Sequence, residues 1–375
     1  MPEFDPSRPF NELPLLPPKT DIETRPILKQ CIEARSALAE LKQAGELIPN
    51  QDVLINTIPL REAKDSSAIE NIVTTDDKLF HHAAMQEKDA DPGTKETLRY
   101  RKALLEGYRE IRRRPLTTAT AVKICQTIRG FDINVRNTPG TALKNSVTGK
   151  IIYTPPEGEQ LLLKKLGNWE TFLHEKTDID PLVRMAVGHY QFEAIHPFTD
   201  GNGRTGRLLN ILFLIGENLL DIPVLYLSRY VIENKDDYYR LLQEVTEAKR
   251  WEPWILYMLM AVEKTAKWTT EKIRAIKDLM EHTSSYTSAA KPNVYTREFI
   301  ELTFIQPYCR IVHVVDAGIA QRGTASKYLK ELCAIGVLKE IKIGRDKVFI
   351  HPKFLNLLMR ESNDFPLYGG RHPGS

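Results

Sequence analysis

The chain has 375 residues, of which 42% are hydrophobic and 27% are charged, as is typical of a soluble globular protein of two or three domains. A formal net charge of +3 is too small to indicate a nucleic-acid or membrane partner, so either would need a local basic patch. Four scattered cysteines without a C-x-x-C pair, no apolar signal segment and no bilayer-spanning apolar run predict a cytoplasmic protein without a membrane partner.

Residues 1–99 are predicted to form an N-terminal helical region. The first twenty residues are rich in proline, so we expect an extended segment on the surface. Thr74-Thr75-Asp76-Asp77 is a helix-capping signal, and residues 96–111 are predicted to form a further helix. The segment 26–41 begins with proline and predicts a helix whose apolar face comprises Leu28, Ile32, Leu38 and Leu41.

Residues 100–267 are predicted to form the central domain. Two short strand-like runs, Ala142–Ser146 and Ile151–Thr154, are joined through Thr148-Gly149, which predicts a β-hairpin. Helical patterns return at Gln160 and over residues 181–195. In the second of these helices His189 falls on the apolar stripe, and we interpret it as a core histidine.

The C-terminal third is predicted to contain a separate domain. Residues 268–292 are assigned as a helix followed by a linker, because Ser284–Pro292 is rich in small polar residues. Two helices, over 311–316 and 322–335, and a hairpin over 337–350 have the order of a winged helix-turn-helix domain, assigned to 293–355. Residues 356–375 form a tail. The second helix is basic, and we give DNA binding and a protein-interaction or structural role about equal weight for this domain.

The residues that carry chemistry are concentrated in one string, His196 to Arg207, which reads HPFTDGNGRTGR and precedes an apolar helical run. Glycines let backbone N–H groups approach a ligand closely, and a helix N-terminus favours negative charge. A helix that begins near Asn202 would place Arg204 and Arg207 on one face. These features predict a phosphate site, beside which His196 supplies a base and Asp200 a carboxylate for Mg²⁺.

This string resembles the signature of the Fic (filamentation induced by cAMP) family, His-Pro-Phe-x-Asp/Glu-Gly-Asn-Gly-Arg-x-x-Arg, at every fixed position. The resemblance implies a mainly α fold, a Fic-type helical bundle with a β-hairpin flap. It also implies a protein adenylyltransferase, which moves AMP from ATP to a Ser, Thr or Tyr hydroxyl of a target protein or of the chain itself. Mg²⁺ as cofactor and a homodimer are further expectations of the resemblance.

The resemblance assigns roles by position in the signature. His196 would be the general base, Phe198 an anchor of the loop and Asp200 the Mg²⁺ ligand. Arg204 would hold the β-phosphate and Arg207 the γ-phosphate. The remaining nucleotide-binding positions would be Gly201, Asn202, Gly203, Thr205, Gly206, Tyr238 and Tyr239, and the target-docking positions of the flap would be Lys144, Ile151, Ile152 and Tyr153. Because adjacent helical positions diverge, at most one of the two tyrosines would face adenine.

A second motif lies upstream, where Ser66-Ser67-Ala68-Ile69-Glu70-Asn71 matches the family's inhibitory pattern, Ser/Thr-x-x-x-Glu-Gly/Asn. The resemblance implies a short inhibitory helix at about 66–71, started by Ser66, whose Glu70 pairs with Arg207 and displaces the γ-phosphate. Three alternatives stay open. Glu70 could orient water to remove AMP from a modified protein, the site could transfer another group, or the chain could be a DNA-binding regulator with a vestigial site.

Overall fold

The structure, a computed structural model, describes residues 4–85, 90–144, 148–175, 178–343 and 346–369. It is mainly helical, which confirms the predicted class. The helices are α1 Arg25–Gly45, α2 Asp52–Ile69, α3 Asp76–Ala84, α4 Pro92–Ile111, α5 Thr118–Arg129, α6 Glu159–His174, α7 Pro181–Ile195, α8 Asn202–Gly216, α9 Leu227–Glu233, α10 Lys235–Ala248, α11 Trp251–Ala290, α12 Arg297–Ile305, α13 Ile311–Asp316, α14 Arg322–Ala334 and α15 Pro352–Met359. The strands are β1 Leu143–Lys144, β2 Ile151–Tyr153, β3 Tyr308–Arg310, β4 Lys339–Ile343 and β5 Asp346–Ile350.

Parts of four predicted features lie outside the described residues. They are residues 1–3 of the proline-rich segment, Asn145 and Ser146 of the first hairpin run, the turn residues 344–345 of the C-terminal hairpin, and residues 370–375 of the tail. None of the described helices is both long enough and apolar enough to cross a membrane.

The N-terminal region packs against the rest of the chain. Helix α1 lies along α11, but its predicted apolar face was partly wrong, since Leu28 is 45% and Ile32 67% exposed. The predicted Leu38 and Leu41 are buried, and they share the buried face with Ile27, Cys31, Ala34, Ala37, Ala44 and Gly45. The described part of the proline-rich segment before α1 was predicted to be extended on the surface, but it forms turns and buries Leu13 and Leu16. Its backbone is held by α6, where Lys165 Nζ donates to the Leu13 carbonyl oxygen at 2.6 Å.

The expected short helix at 66–71 was wrong in its bounds. Helix α2 begins at Asp52, so Ser66 lies in its last turn and Glu70 is its C-terminal cap. Ser66 therefore does not cap a helix start, and its hydroxyl oxygen instead accepts a hydrogen bond from Arg207 Nε at 3.0 Å. Asn71 ends the helix in the left-handed conformation, with a φ of 62°, a role that asparagine tolerates better than most residues.

The central bundle brings α7 and α8 together, with α4 and α5 against α8 and α6 against α7. Helices α2 and α9 also contact α8. The predicted hairpin is present as an antiparallel pair, in which Leu143 lies opposite Tyr153 and Lys144 opposite Ile151. The loop from α7 to α8 carries His196 through Gly201, so the functional string lies where these elements converge.

The predicted linker at Ser284–Pro292 was wrong over most of its length, because α11 runs for 40 residues to Ala290. Its small polar residues are compatible with a helix since Thr283 and Thr287 are buried, and the Thr283 hydroxyl donates to the Leu279 carbonyl at 2.7 Å. Tyr286 stacks on Tyr368 of the C-terminal segment. The helix ends just before Pro292, which disfavours helical geometry in the residue that precedes it.

The C-terminal region has the helix–helix–hairpin order that the sequence indicated. Helices α13 and α14 pack together, and β3, which was not predicted, joins β4 and β5 in an antiparallel sheet of order β3-β5-β4. This arrangement is compatible with a winged helix.

Proline substitution tests whether residues 284–290, which were predicted to be a linker, are helical. Ser285 is exposed within α11, so Ser285→Pro should lower stability by about 3 kcal/mol, because proline removes a helical hydrogen bond and clashes with the preceding turn. Ser285→Ala is the matched control and should leave the melting temperature unchanged or slightly raised. Equal melting temperatures for the two variants, measured by circular dichroism, would show that residues 284–290 are a flexible linker.

Candidate active site

The loop between α7 and α8 is held in one shape by its own residues. Helix α7 ends at His196 with a φ of 50°, and Gly201 precedes α8 with a φ of 87°, which glycine adopts without strain. The Phe198 ring is fully buried. The Asn202 carboxamide accepts from the Phe198 N–H and donates to the Phe198 carbonyl, both at 2.8 Å. The Asn202 side chain therefore braces the loop, and a ligand can meet only its backbone.

The Glu70 carboxylate lies over the first turn of α8. Its Oε1 accepts from Arg207 Nη2 at 2.9 Å, and a Cβ added at Gly203 would lie only 2.4 Å from that same oxygen. The last turn of α2 completes the contact, because Ser66 accepts from Arg207 Nε with its hydroxyl at 3.0 Å and from Nη2 with its carbonyl at 2.9 Å. An anion thus already occupies the position where a helix N-terminus favours negative charge.

The Glu70–Arg207 pair stays ionised through the neutral pH range. Burial by itself would raise the pKa of Glu70, but the charge and hydrogen bond of Arg207 outweigh burial and lower that pKa below its usual value. Burial likewise opposes the charged form of Arg207, and Glu70 raises its pKa. A carboxyl with a lowered pKa stabilises the fold above its unfolded value, so this contact weakens only under acidic conditions.

Residues that the sequence analysis missed hold the end of α2 in place. The buried Glu62 carboxylate accepts from Tyr100 of α4 at 2.9 Å and from the hydroxyl of Ser228 in α9 at 2.6 Å. Lys235, at the start of α10, donates from Nζ to the carbonyl of Ile69 at 2.6 Å. These bonds join residues far apart in sequence, and the pattern of α2 alone gives no signal of them.

Arg204 belongs to a ring of four charged side chains. Glu96 Oε1 accepts from Arg204 Nη1 at 2.6 Å and from Arg129 Nη1 at 2.7 Å. Arg129 Nη2 in turn lies 3.1 Å from Asp200 Oδ2, and Arg204 Nη2 lies 3.7 Å from Asp200 Oδ1. Glu96 and Arg129 were also missed, although they orient the arginine and the carboxylate that the signature predicted.

Asp200 suits a magnesium ion that is shared with a substrate. Its side chain is 57% exposed beside the glycine turn, and it is the only carboxylate of the signature. Mg²⁺ commonly binds through one or two carboxylates, several waters and substrate phosphates. Among the described residues there is no group of three or more His, Cys, Asp or Glu side chains that could hold a metal ion.

His196 is a half-buried imidazole whose Nδ1 is shielded from solvent, and it is neutral. Burial, with a further effect from the Arg136 guanidinium, lowers the pKa of His196 to about 4. Arg136 also fixes the backbone here, since its Nε donates to the His196 carbonyl at 2.8 Å. Neutral imidazole accepts a proton, so His196 has the protonation state that a general base needs at neutral pH.

The structure separates the two tyrosines and places part of the signature in the core. Tyr238 is buried, and its hydroxyl contacts His189 Nε2 at 2.8 Å, which corrects its assignment as a nucleotide-binding residue and places both side chains in the core. Tyr239 is 41% exposed. Thr205 is fully buried, and an alanine Cβ at Gly206 would lie 2.4 Å from Glu193 Oε1, so both residues pack against neighbours rather than facing a ligand.

The hairpin has an anchored strand and an open one. Tyr153 is buried, and its hydroxyl donates to the Ala194 carbonyl at 2.8 Å, which corrects its assignment to target docking through the side chain. Ile151 and Ile152 are half-buried, whereas Lys144 on β1 is exposed. Backbone pairing along β1 is the contact that this hairpin can offer an extended peptide.

Three family models match successive parts of the chain. The Fic/DOC family N-terminal model matches residues 28–109, and the Fic/DOC family model matches residues 115–214, which include the signature. The model of the protein adenylyltransferase SoFic-like C-terminal domain matches residues 279–354. The chain belongs to the Fic/DOC family. The third match begins inside α11, so the family boundary does not coincide with the end of that helix.

Individual relatives agree with this membership. The protein adenylyltransferase fic-1 of Caenorhabditis briggsae is 27% identical over 157 residues, 41% of this chain and 28% of the relative. The protein adenylyltransferase Fic of Nematostella vectensis is 30% identical over 115 residues, 30% of this chain and 25% of the relative. The chain thus spans about a quarter of the length of these two relatives. A Fic family protein from Desulfovibrio desulfuricans shares the fold, with a TM-score of 0.57, 18% identity, and coverage of 89% of this chain and 98% of that one.

Removal of the Glu70 carboxylate should leave Arg207 and the first turn of α8 free to bind another anion. We expect Glu70→Gly to bind tripolyphosphate at least about tenfold more tightly than the unaltered chain, because Arg207 and the first turn of α8 lose a charged competitor. Glu46→Gly is the matched control, since Glu46 is an exposed C-terminal cap of α1. Calorimetric titration that gives one affinity for all three proteins would contradict the assigned anion position.

The low pKa of His196 is testable without any substrate. In the ligand-free chain labelled at its histidines, the His196 imidazole signal, assigned with His196→Asn, should stay at its neutral position from pH 8 down to about 5. Since the unfolded chain takes up this proton near its ordinary pKa of about 6.5, stability should decline as the pH falls below that value. A titration midpoint near 6.5 in the folded chain would show that burial does not control this group.

Proposed function

We propose that this chain is a protein adenylyltransferase, which transfers AMP from ATP to a hydroxyl group of a target protein or of itself. The observation that carries the proposal is the neutral His196 imidazole next to a helix N-terminus and two buried arginines that form an anion site. Nucleotidyl transfer needs mainly positioning and charge neutralisation, together with a base for the incoming hydroxyl. The names of the relatives support the same activity.

In the proposed reaction, His196 takes the proton of the target hydroxyl while that oxygen forms a bond to the α-phosphorus of ATP. The bond between this phosphorus and the oxygen that bridges to the β-phosphate breaks, and pyrophosphate leaves. Arg204 and Arg207 would neutralise the phosphate oxygens, and Glu96 would keep Arg204 oriented. Asp200 would hold Mg²⁺, which when bound offsets further phosphate charge.

We further propose that Glu70 holds the enzyme inactive. Its carboxylate accepts a hydrogen bond from the Arg207 guanidinium and fills the space next to Gly203, so neither is open to a phosphate. A γ-phosphate would have to displace this contact, so ATP would bind weakly or with its phosphates misplaced. The hydrogen bond that Glu62 of α2 accepts from Ser228 of α9 and the bond that Lys235 of α10 donates to the Ile69 carbonyl hold α2 in the position that places Glu70 on Arg207. The β1 edge would dock the target segment beside His196 when the site is free.

DNA binding through α14 is the second candidate function. Arg322, Lys327 and Lys330 are exposed on this helix, which gives a basic face of the kind that contacts phosphates. A gel shift with genomic DNA fragments, repeated with all three residues changed to Gln, would test it. Retardation of the DNA that the triple variant lacks supports this function, and equal mobility excludes it.

The transfer activity has a direct readout. After incubation with ATP and Mg²⁺, Glu70→Gly should gain the mass of AMP on one or more of its own hydroxyls, while the unaltered chain gains little. Glu70→Gly combined with His196→Ala should show no gain, because a positioned base contributes on the order of 10²–10⁴ in rate. Intact-protein mass spectrometry makes the comparison.

Two results would contradict the proposed function. Equal modification with and without His196 would remove that residue from the chemistry, and a gain in the mass of phosphate rather than of AMP would mean that another group is transferred. Loss of AMP from a premodified target, in the unaltered chain but not in Glu70→Gly, would instead assign AMP removal to Glu70.

A further inference from the structure

A cavity of about 330 Å³ lies beside the anion site. Its walls come from the last turns of α7, from the hairpin and from α10, and Phe4 of the N-terminal segment closes one side. Tyr239 lies between the cavity and the anion site, since Lys235 Nζ is 6.0 Å from the centre of its ring and also donates to the carbonyl of Ile69 at the end of α2. The volume and the mostly apolar, aromatic lining suit a small-molecule ligand with a planar ring.

Glu193 is the carboxylic acid of this cavity wall, and it lies one turn before His196 in α7. Its Oε1 is buried against Gly206 and accepts no hydrogen bond from the described part of the chain. A buried carboxyl oxygen without a donor is unfavourable, and such groups are uncommon in folded proteins. Burial raises the pKa of Glu193 to about 8, although the Arg207 charge opposes this change.

A structural role as the counter-ion of Arg207 does not explain Glu193. The Arg207 guanidinium already donates to Ser66 and Glu70, and the short contacts that fix it involve α2 rather than α7. Glu193 therefore lies at the boundary between the anion site and the cavity, where it lines the cavity while its Oε1 packs against Gly206 of α8 without a hydrogen-bond donor. A ligand with phosphates on α8 and an organic group in the cavity would pass directly beside it.

We propose that Glu193 is a nucleoside-binding residue, whose carboxyl group accepts a hydrogen bond from a donor on the nucleoside half of the nucleotide. This inference rests on the proposed function, because it requires the triphosphate on α8. Two donors have the right chemistry, the exocyclic amine of adenine and a ribose hydroxyl. Sites that hydrogen-bond a substrate group discriminate strongly against analogues that lack it, so Glu193 would set the choice of nucleotide.

The test measures the affinities of four nucleotides in the Glu70→Gly background, where the anion site is free. The ligands are ATP, inosine triphosphate, which lacks the amine, and the 2′-deoxy and 3′-deoxy forms of ATP, which each lack a hydroxyl. With Glu193 present, the analogue that lacks the contacted donor should bind about 10- to 100-fold more weakly than ATP. With Glu193→Leu, the affinity for ATP should fall by a similar factor, and the difference in affinity between ATP and that analogue should disappear.

Controls separate this inference from the proposed function. Glu193→Gln keeps a carbonyl acceptor and should preserve the discrimination, and Glu40→Leu, on an exposed face of α1, should change nothing. If melting curves show that Glu193→Leu is unfolded, Glu193→Met replaces it. Affinity ratios among the four nucleotides that are the same with and without Glu193 would overturn the inference. Failure of Glu70→Gly to bind either ATP or tripolyphosphate would instead overturn the proposed function, and this inference with it.

Discussion

A buried guanidinium is stabilised by a nearby anion, and for Arg207 that anion is Glu70. The Glu70 side chain is 33% exposed, so water or an incoming anion can reach the pair. The signature places a cation at the N-terminal end of α8, where an anion is favoured even without it. The end of α2 supplies that anion together with the hydroxyl and carbonyl of Ser66. The contact between α2 and α8 is thus an electrostatic consequence of the anion site that we propose for phosphate.

The rest of the bundle keeps this contact in register. Glu62 ties α2 to α4 and α9, and Glu96 and Arg129 tie the second arginine and Asp200 to α4 and α5. These carboxylates have charged or hydroxyl partners, whereas Oε1 of Glu193 has no partner among the described residues. Glu193 also lines the cavity beside the anion site, and a carboxyl group with an unpaired oxygen at such a place is suited to an incoming ligand.

The sequence predicted those features that depend on neighbouring residues. Glycines and a following apolar run place the start of α8 at Asn202 without any knowledge of the fold. The burial of His189 and the divergence of Tyr238 and Tyr239 follow from helical periodicity. Serines and alanines at 284–290 suggested a linker, but packing of Thr287 and Tyr286 overrides such weak local preferences. Glu62, Glu96 and Arg129 act across long sequence separations, which local patterns do not encode.

The central claim is that Glu70 acts by occupying Arg207, and a double-mutant cycle on the rate of AMP transfer tests it most directly. Four proteins are compared with labelled ATP: the unaltered chain, Glu70→Gly, Arg207→Ala and the double variant. The account predicts that Glu70→Gly raises the rate about tenfold or more when Arg207 is present and has no effect when it is absent, because release of an arginine requires the arginine. The same gain in both backgrounds would contradict it.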